Sequence, residues 1–256
     1  RYDVLSLSTV NELEVIENGG TTELFGLVDD ASSDETLLEN ENPTANSAHF
    51  NGTTMSELSS FIRNSQYSII ELDKDIEQEG NNPSYIMLNK QITINGNNHT
   101  IDLKELSYAF RIHNTNVTLM NIIFKKGLSE SAGAIYSTNS GYCTIDNCIF
   151  INNSASKNGG AVYLYSSEPC YISNCIFIDN IASSNGGGIY VLSDVKIENC
   201  IFNNNNAECG GGIYSSNGYS EVINCNFTGN SARHGAGVYS QDLNILNCNF
   251  IISRFF

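Results

Sequence analysis

Positive charge is scarce in this chain: twelve Lys and Arg stand against 28 Asp and Glu, for a formal net charge of −16. Nucleic acid is therefore disfavoured as a partner, because neutralising phosphates takes clustered Lys and Arg. Anionic membrane surfaces are disfavoured for the same reason. No stretch approaches the roughly 18 to 20 apolar residues of a membrane-spanning helix, so no membrane insertion by this segment is expected. Trp is absent and Pro occurs three times. Spacings that carry metal or phosphate chemistry are missing too. There is no Cys-x-x-Cys pair for zinc, no Gly-Gly-x-Gly-x-Asp array for calcium, and no Lys followed by Ser or Thr to complete a phosphate loop. No cofactor and no required metal is expected.

What is present is one short phrase, repeated. Asn-Cys-Ile-Phe occupies 147–150, 174–177 and 199–202, and Asn-Cys-Asn-Phe occupies 224–227 and 247–250, at intervals of 23 to 27 residues. That interval is too short for a domain and suits one turn of a stacked solenoid. Aligned, the copies give columns of Asn (Asn147, Asn174, Asn199, Asn224, Asn247), Cys (Cys148, Cys175, Cys200, Cys225, Cys248) and Phe (Phe150, Phe177, Phe202, Phe227, Phe250). On either side of each Asn, apolar and polar residues alternate at period two, which marks strands with one inward face. The alternation slips by one at the Asn. A tight turn belongs there, since Asn tolerates the left-handed conformation and its amide can bond to neighbouring turns. A Gly-rich third strand follows in each copy, such as Gly-Gly-Gly-Ile-Tyr at 186–190. Three strands per turn, each stacked about 4.8 Å above its equivalent, predict an all-β parallel β-helix of six to seven turns.

Residues 1–48 hold eleven acids against Arg1 and show no sustained apolar period, which predicts a disordered acidic arm. Met55, Leu58, Phe61 and Ile62 have helical spacing and precede a β-like run, so 49–85 reads as an N-terminal cap that covers the open end of the solenoid. Residues 86–256 hold the repeats, and the ending after Phe250 reads as truncated or uncapped.

The signatures Gly-Gly-Ala-Val or Gly-Gly-Gly-Ile, together with Phe-x-x-Asn (Phe150 to Asn153, Phe177 to Asn180, Phe202 to Asn205, Phe227 to Asn230), resemble the repeats of chlamydial polymorphic outer-membrane proteins. Residues 92–102 and 116–124 resemble the adhesin-like surface proteins of methanogenic archaea. The likeness covers about residues 85–250. It implies a right-handed β-helix on an extracellular or cell-surface protein that mediates attachment, and it brings no catalytic motif.

Five cysteines share one inward column, where a small thiol packs beside Phe as a hydrophobe. Their bonds point in parallel rather than toward each other, so a reduced stack is expected instead of disulfides. Cys209 lies outside the column and is the candidate reactive thiol. Tyr136, Tyr163, Tyr190, Tyr214 and Tyr239 follow an inward Ile or Val and should line up outside, with His113 continuing the row after Ile112. Such a row can stack on sugar rings, although mutual stacking that shields the sheet is the commoner use of aromatic rows. The rival class is a polysaccharide lyase or glycoside hydrolase, which needs clustered carboxylates or calcium with a basic residue. The only mixtures of that kind are Asp102, Glu105, Arg111 and His113, and the pair Arg233 and His234, which are read as a solvated turn.

The sequence thus predicts a non-enzymatic adhesin whose binding surface comes from outward residues and from variable loops at 137–142 and 166–168. Its expected partners are carbohydrate or surface proteins of another cell. A lyase or hydrolase is the first alternative and a structural stalk the second.

Overall fold

The computed structural model describes residues 14–18, 21–25, 46–80, 84–251 and 254–255. Two units are distinguished, 1–43 and 44–256. Most of the expected acidic arm lies outside the described residues. Within it, strands Glu14–Asn18 and Thr21–Phe25 pair antiparallel, which differs from the expectation of a stretch without paired elements.

The second unit is a parallel β-solenoid. Among its described residues, four parallel sheets run along it, with nine, eight, six and seven strands, each sheet ordered as successive turns. The nine-stranded sheet, here the long sheet, starts at Ser47–Phe50 and Ile69–Leu72 and ends at Leu243–Leu246. The chain therefore makes about eight turns, slightly more than the repeats announce, because Ile69–Leu72 from the expected cap and Ser47–Phe50, which straddles the boundary between expected arm and cap, join this sheet in register. One turn illustrates the path. Cys143–Asp146 lies in the long sheet, Ile149–Ile151 in the eight-stranded Phe sheet, Ser154–Ala155 in the six-stranded short sheet and Val162–Ser166 in the seven-stranded Tyr sheet. The short sheet falls within what the sequence treats as a plain connection. Two residues are too few to show a period of two.

Single left-handed residues make the corners. Asn121, Asn147, Asn174, Asn199, Asn224 and Asn247, between the long and Phe sheets, have φ between 48° and 55°. A second set at Asn152, Asp179, Asn204 and Gly229 leads into the short sheet. The third set, Gly159, Gly186, Gly210 and Gly235, leads into the Tyr sheet, so the Gly-rich runs are corners and the strands start after them. A side chain at Gly187, the next residue, would meet the Gly211 carbonyl of the following turn at 2.3 Å, so only Gly permits this approach.

Between these corners the inward residues form files. Leu119, Ile145, Ile172, Ile197 and Val222 are buried along the long sheet. Opposite them Phe124, Phe150, Phe177, Phe202, Phe227 and Phe250 stack at 4.7 to 5.1 Å. Phe250, in the last described turn, stacks on Phe227 on one side only and remains 45% exposed. Burying each such side chain contributes roughly 1.5–3 kcal/mol.

Helix α1, Met55–Asn64, stands between the first two strands of the long sheet. Thr54 and Glu57 close a capping box at its start, and Arg63 lies in its last turn. Met55, Leu58 and Ile62, at helical spacing, bury its inner face, and Phe61 packs against Phe50 at 5.3 Å.

Candidate functional site

The Tyr row is real, but its rings are half-buried, except for Tyr239 at its end. Tyr136, Tyr163, Tyr190, Tyr214 and Tyr239 stack with centroids 4.9 to 5.2 Å apart. Burial, followed by the neighbouring Tyr190 and Tyr136, pushes the Tyr163 phenol up to about 12. His113 does not continue the row. It pairs with Thr138, and its Nδ1 lies 3.0 Å from the Thr138 carbonyl, whereas Arg111 stands beside Tyr136. The register differs by two residues from the expected one, a shift that leaves every side chain on the same face and so is invisible to alternation. The row instead continues through Arg111, 5.7 Å from the Tyr136 ring and 6.0 Å from Tyr85, with Tyr108 stacked on Tyr85 at 4.7 Å.

The corner Asn ladder is exposed. Asn147 Nδ2 donates to Asn121 Oδ1 at 2.7 Å and Asn224 to Asn199 at 3.2 Å, while Asn174 turns to Asp146 at 2.8 Å. Asn199 donates to Asn174 at 3.5 Å, and Asn247 sits exposed at the last corner.

A second ladder, not singled out as such from sequence, is fully buried: Asn153, Asn180, Asn205 and Asn230. Each Nδ2 donates to a Phe carbonyl of the previous turn, as Asn205 does to Phe177 at 2.9 Å. Each of the last three also accepts at Oδ1 from the backbone and side chain of the Asn one turn earlier. Its sequence signal was the Asn of Phe-x-x-Asn.

Cys148, Cys175, Cys200 and Cys225 are buried in file. The backbone N–H of the first three donates to the next Sγ at 3.4 Å, and that of Cys225 donates likewise to half-buried Cys248. All eight cysteines are free thiols. Burial pushes the thiols of Cys143 and Cys175 well above their ordinary range. Cys209 is also pushed up, by burial and then Glu208, with Arg233 opposing, which argues against a reactive thiol.

The mixed charged clusters are dispersed. Asp102 is buried beside Lys104 at 3.4 Å and Lys125 at 3.7 Å, in the Phe sheet, while Arg111 and His113 belong to the Tyr sheet. Glu105 is exposed in a left-handed corner. Arg233 and His234 lie in strand Ser231–His234 rather than in a loop, with Arg233 3.9 Å from Glu208. Among the described residues no group of three or more His, Cys, Asp or Glu is disposed to hold a metal ion.

Residues 133–251 match the family model of the right-handed β-helix region. Residues 50–157 match that of a pectate lyase-like adhesive domain. No curated protein matches the chain. The two matched stretches run from Phe50, ahead of α1, through the last strand of the Phe sheet, and the solenoid is a right-handed β-helix with a likeness to adhesive domains.

Two clefts mark this β-helix. One, of about 650 Å³, lies against α1 and is lined by Phe50, Phe61, Tyr67 and polar helix residues. The other, of about 470 Å³, is polar and is lined by Asn139, Gly141 and Tyr142 and by Ser167 and Glu168, from the two loops predicted to vary, together with Asn114, Thr115 and Asn116 from the turn before them. The exposed tyrosines of the repeats are Tyr142, Tyr165, Tyr171 and Tyr219 at 43–49%, together with Tyr239 at 37%. Of the predicted row, only Tyr239 is among them. Among the described residues, no helix is long and apolar enough to cross a membrane.

Proposed function

We propose that the chain is a non-enzymatic attachment module of an extracellular or cell-surface protein, an adhesin that presents a rigid β-helix to glycans or proteins of another cell. The observation that carries this reading is the match of residues 50–157 to an adhesive domain. The candidate acid–base side chains support it, since they are committed to ion pairs, ring faces and backbone carbonyls instead of converging on one cleft. The likeness of the repeats to archaeal adhesin-like and chlamydial surface proteins points the same way.

The test is to incubate the chain with immobilised and soluble polysaccharides, acidic and neutral, and to follow retention together with polymer length. Beads coated with the chain are assayed for adhesion to cells in parallel. Retention or bead adhesion with unchanged polymer length is expected. Shortening of any polymer would replace this reading with a lyase or hydrolase, and absence of both retention and adhesion would leave it without support.

A further inference from the structure

The geometry points to the polar cleft between the Tyr sheet and the long sheet as a binding site for neutral saccharides, an inference that rests on the attachment reading and gives it a place. Three consecutive turns build the cleft, each with the loop that links those two sheets. Asn139 is the added residue of a bulge, where the pairing of Ile135–Ser140 with the next strand slips between Thr138 and Ser140. Bulges of this kind re-aim a side chain. Here Asn139 is exposed with φ 53°, and its Nδ2 donates to Asn114 Oδ1 at 2.8 Å, Asn114 having the same φ. The two rim amides are thereby locked together.

The floor is fixed by buried hydroxyls. Ser137 and Ser140 lie 2.6 Å apart, and Ser166 donates to the Gly141 carbonyl at 2.6 Å. Ser167 Oγ donates to the Ser140 carbonyl at 2.9 Å, and the Glu168 N–H donates to Ser166 Oγ. Asn116 Oδ1 accepts from the Tyr142 N–H at 3.0 Å, in space that a side chain at Gly141 would fill. These bonds use the loop backbones and leave functional groups over. Neither Asn116 Nδ2 nor the Glu168 carboxylate has a hydrogen-bond partner among the described residues, and the Tyr142 ring is 49% exposed.

The recognition chemistry follows from that inventory. An amide donor and a carboxylate acceptor carried by braced loop backbones match the hydroxyls of a sugar, and an exposed ring beside them offers a face to its C–H groups. No Lys or Arg lines the cleft and Glu168 does, so a uronate would meet like charge without a counter-ion. Neutral sugars are selected over acidic ones.

The experiment measures binding of neutral gluco-, galacto-, manno- and N-acetylglucosamine oligosaccharides, and of polygalacturonate oligomers, to the chain and three variants. Binding of at least one neutral oligosaccharide is expected, weakened at least about tenfold by Tyr142→Ala and by Glu168→Gln. Tyr67→Ala, an exposed tyrosine beside α1, should leave it unchanged. Unfolding midpoints check that the fold survives, and if Tyr142→Ala unfolds, Glu168→Gln decides. Neutral binding untouched by both cleft variants, binding of polygalacturonate alone, or no neutral binding by the wild type overturns this inference. The attachment reading falls separately, if any polymer is shortened or if the wild type also fails to adhere to cells and to every polysaccharide.

Discussion

The two asparagine ladders run side by side along the same β-helix, one strand apart, yet they answer to different physics. At the exposed corner Asn is present for its backbone: it accepts a left-handed φ that other L-residues resist, while its amide lies at the surface. In the buried file Asn is present for its side chain, which satisfies a Phe carbonyl below and two N–H groups of its neighbour. The same residue type is replaceable in one place and close to obligatory in the other.

The largest effect should therefore come from Asn205→Ala. It strips one hydrogen bond each from the Phe177 carbonyl, the Asn180 N–H and the Asn180 amide, whose Nδ2 keeps the Phe150 carbonyl, and a bond lost in a dry interior is worth about 1–3 kcal/mol. Chemical denaturation should show a loss of about 3 kcal/mol or more, and a loss under 1 kcal/mol would break the distinction. At the corner, Asn174→Val should cost about 1–2 kcal/mol through backbone strain alone. Asn174→Gly, which keeps the left-handed option, should stay within about 1 kcal/mol in the same assay. An equal cost for both substitutions would mean that the exposed amides, not the backbone, dominate.

The contrast between inside and outside extends to the thiols. Alkylation of the native chain should be confined to the half-buried Cys209 and Cys248, slower at Cys209 than for an unperturbed thiol, with the other six modified only on unfolding. Mass spectrometry of the digested product reads this directly. Early labelling of Cys175 would show that the file opens.

The smallest effect concerns the first turn, where His49 Nδ1 lies 2.8 Å from Asp73. That hydrogen bond, then the charge of Asp73, raises the His49 pKa above its ordinary value. The stabilisation is thus complete below the unfolded pKa and is lost as pH rises through the folded one. A slight fall in the melting midpoint above neutrality is expected, absent in His49→Gln.

Much of this was legible beforehand because each clue is local. Period-two alternation, the slip at Asn147 and its equivalents, and recurrence every 23 to 27 residues specify strands, corners and turn height without any knowledge of distant contacts. The misplacement of His113 shows where local clues end. A register error of two residues preserves inside and outside, and only the hydrogen-bonded pairing of Arg111 with Tyr136 resolves it.

The candidate site was legible only as two variable loops. Whether residues 137–142 and 166–168 would share a cleft depends on how the Asn139 bulge and the loop carrying Asn114 and Asn116 settle one turn apart. Likewise nothing local distinguishes the half-buried Tyr163 from the exposed Tyr165, which lies two residues further on the same outward face. Chain-neighbour chemistry therefore determined the helical repeat and its inward files, because backbone preference and side-chain alternation act over a few residues. Stacking alone decided which polar groups were sealed inside, which rings covered one another and which three turns meet at the cleft, because those depend on neighbours about 25 residues away.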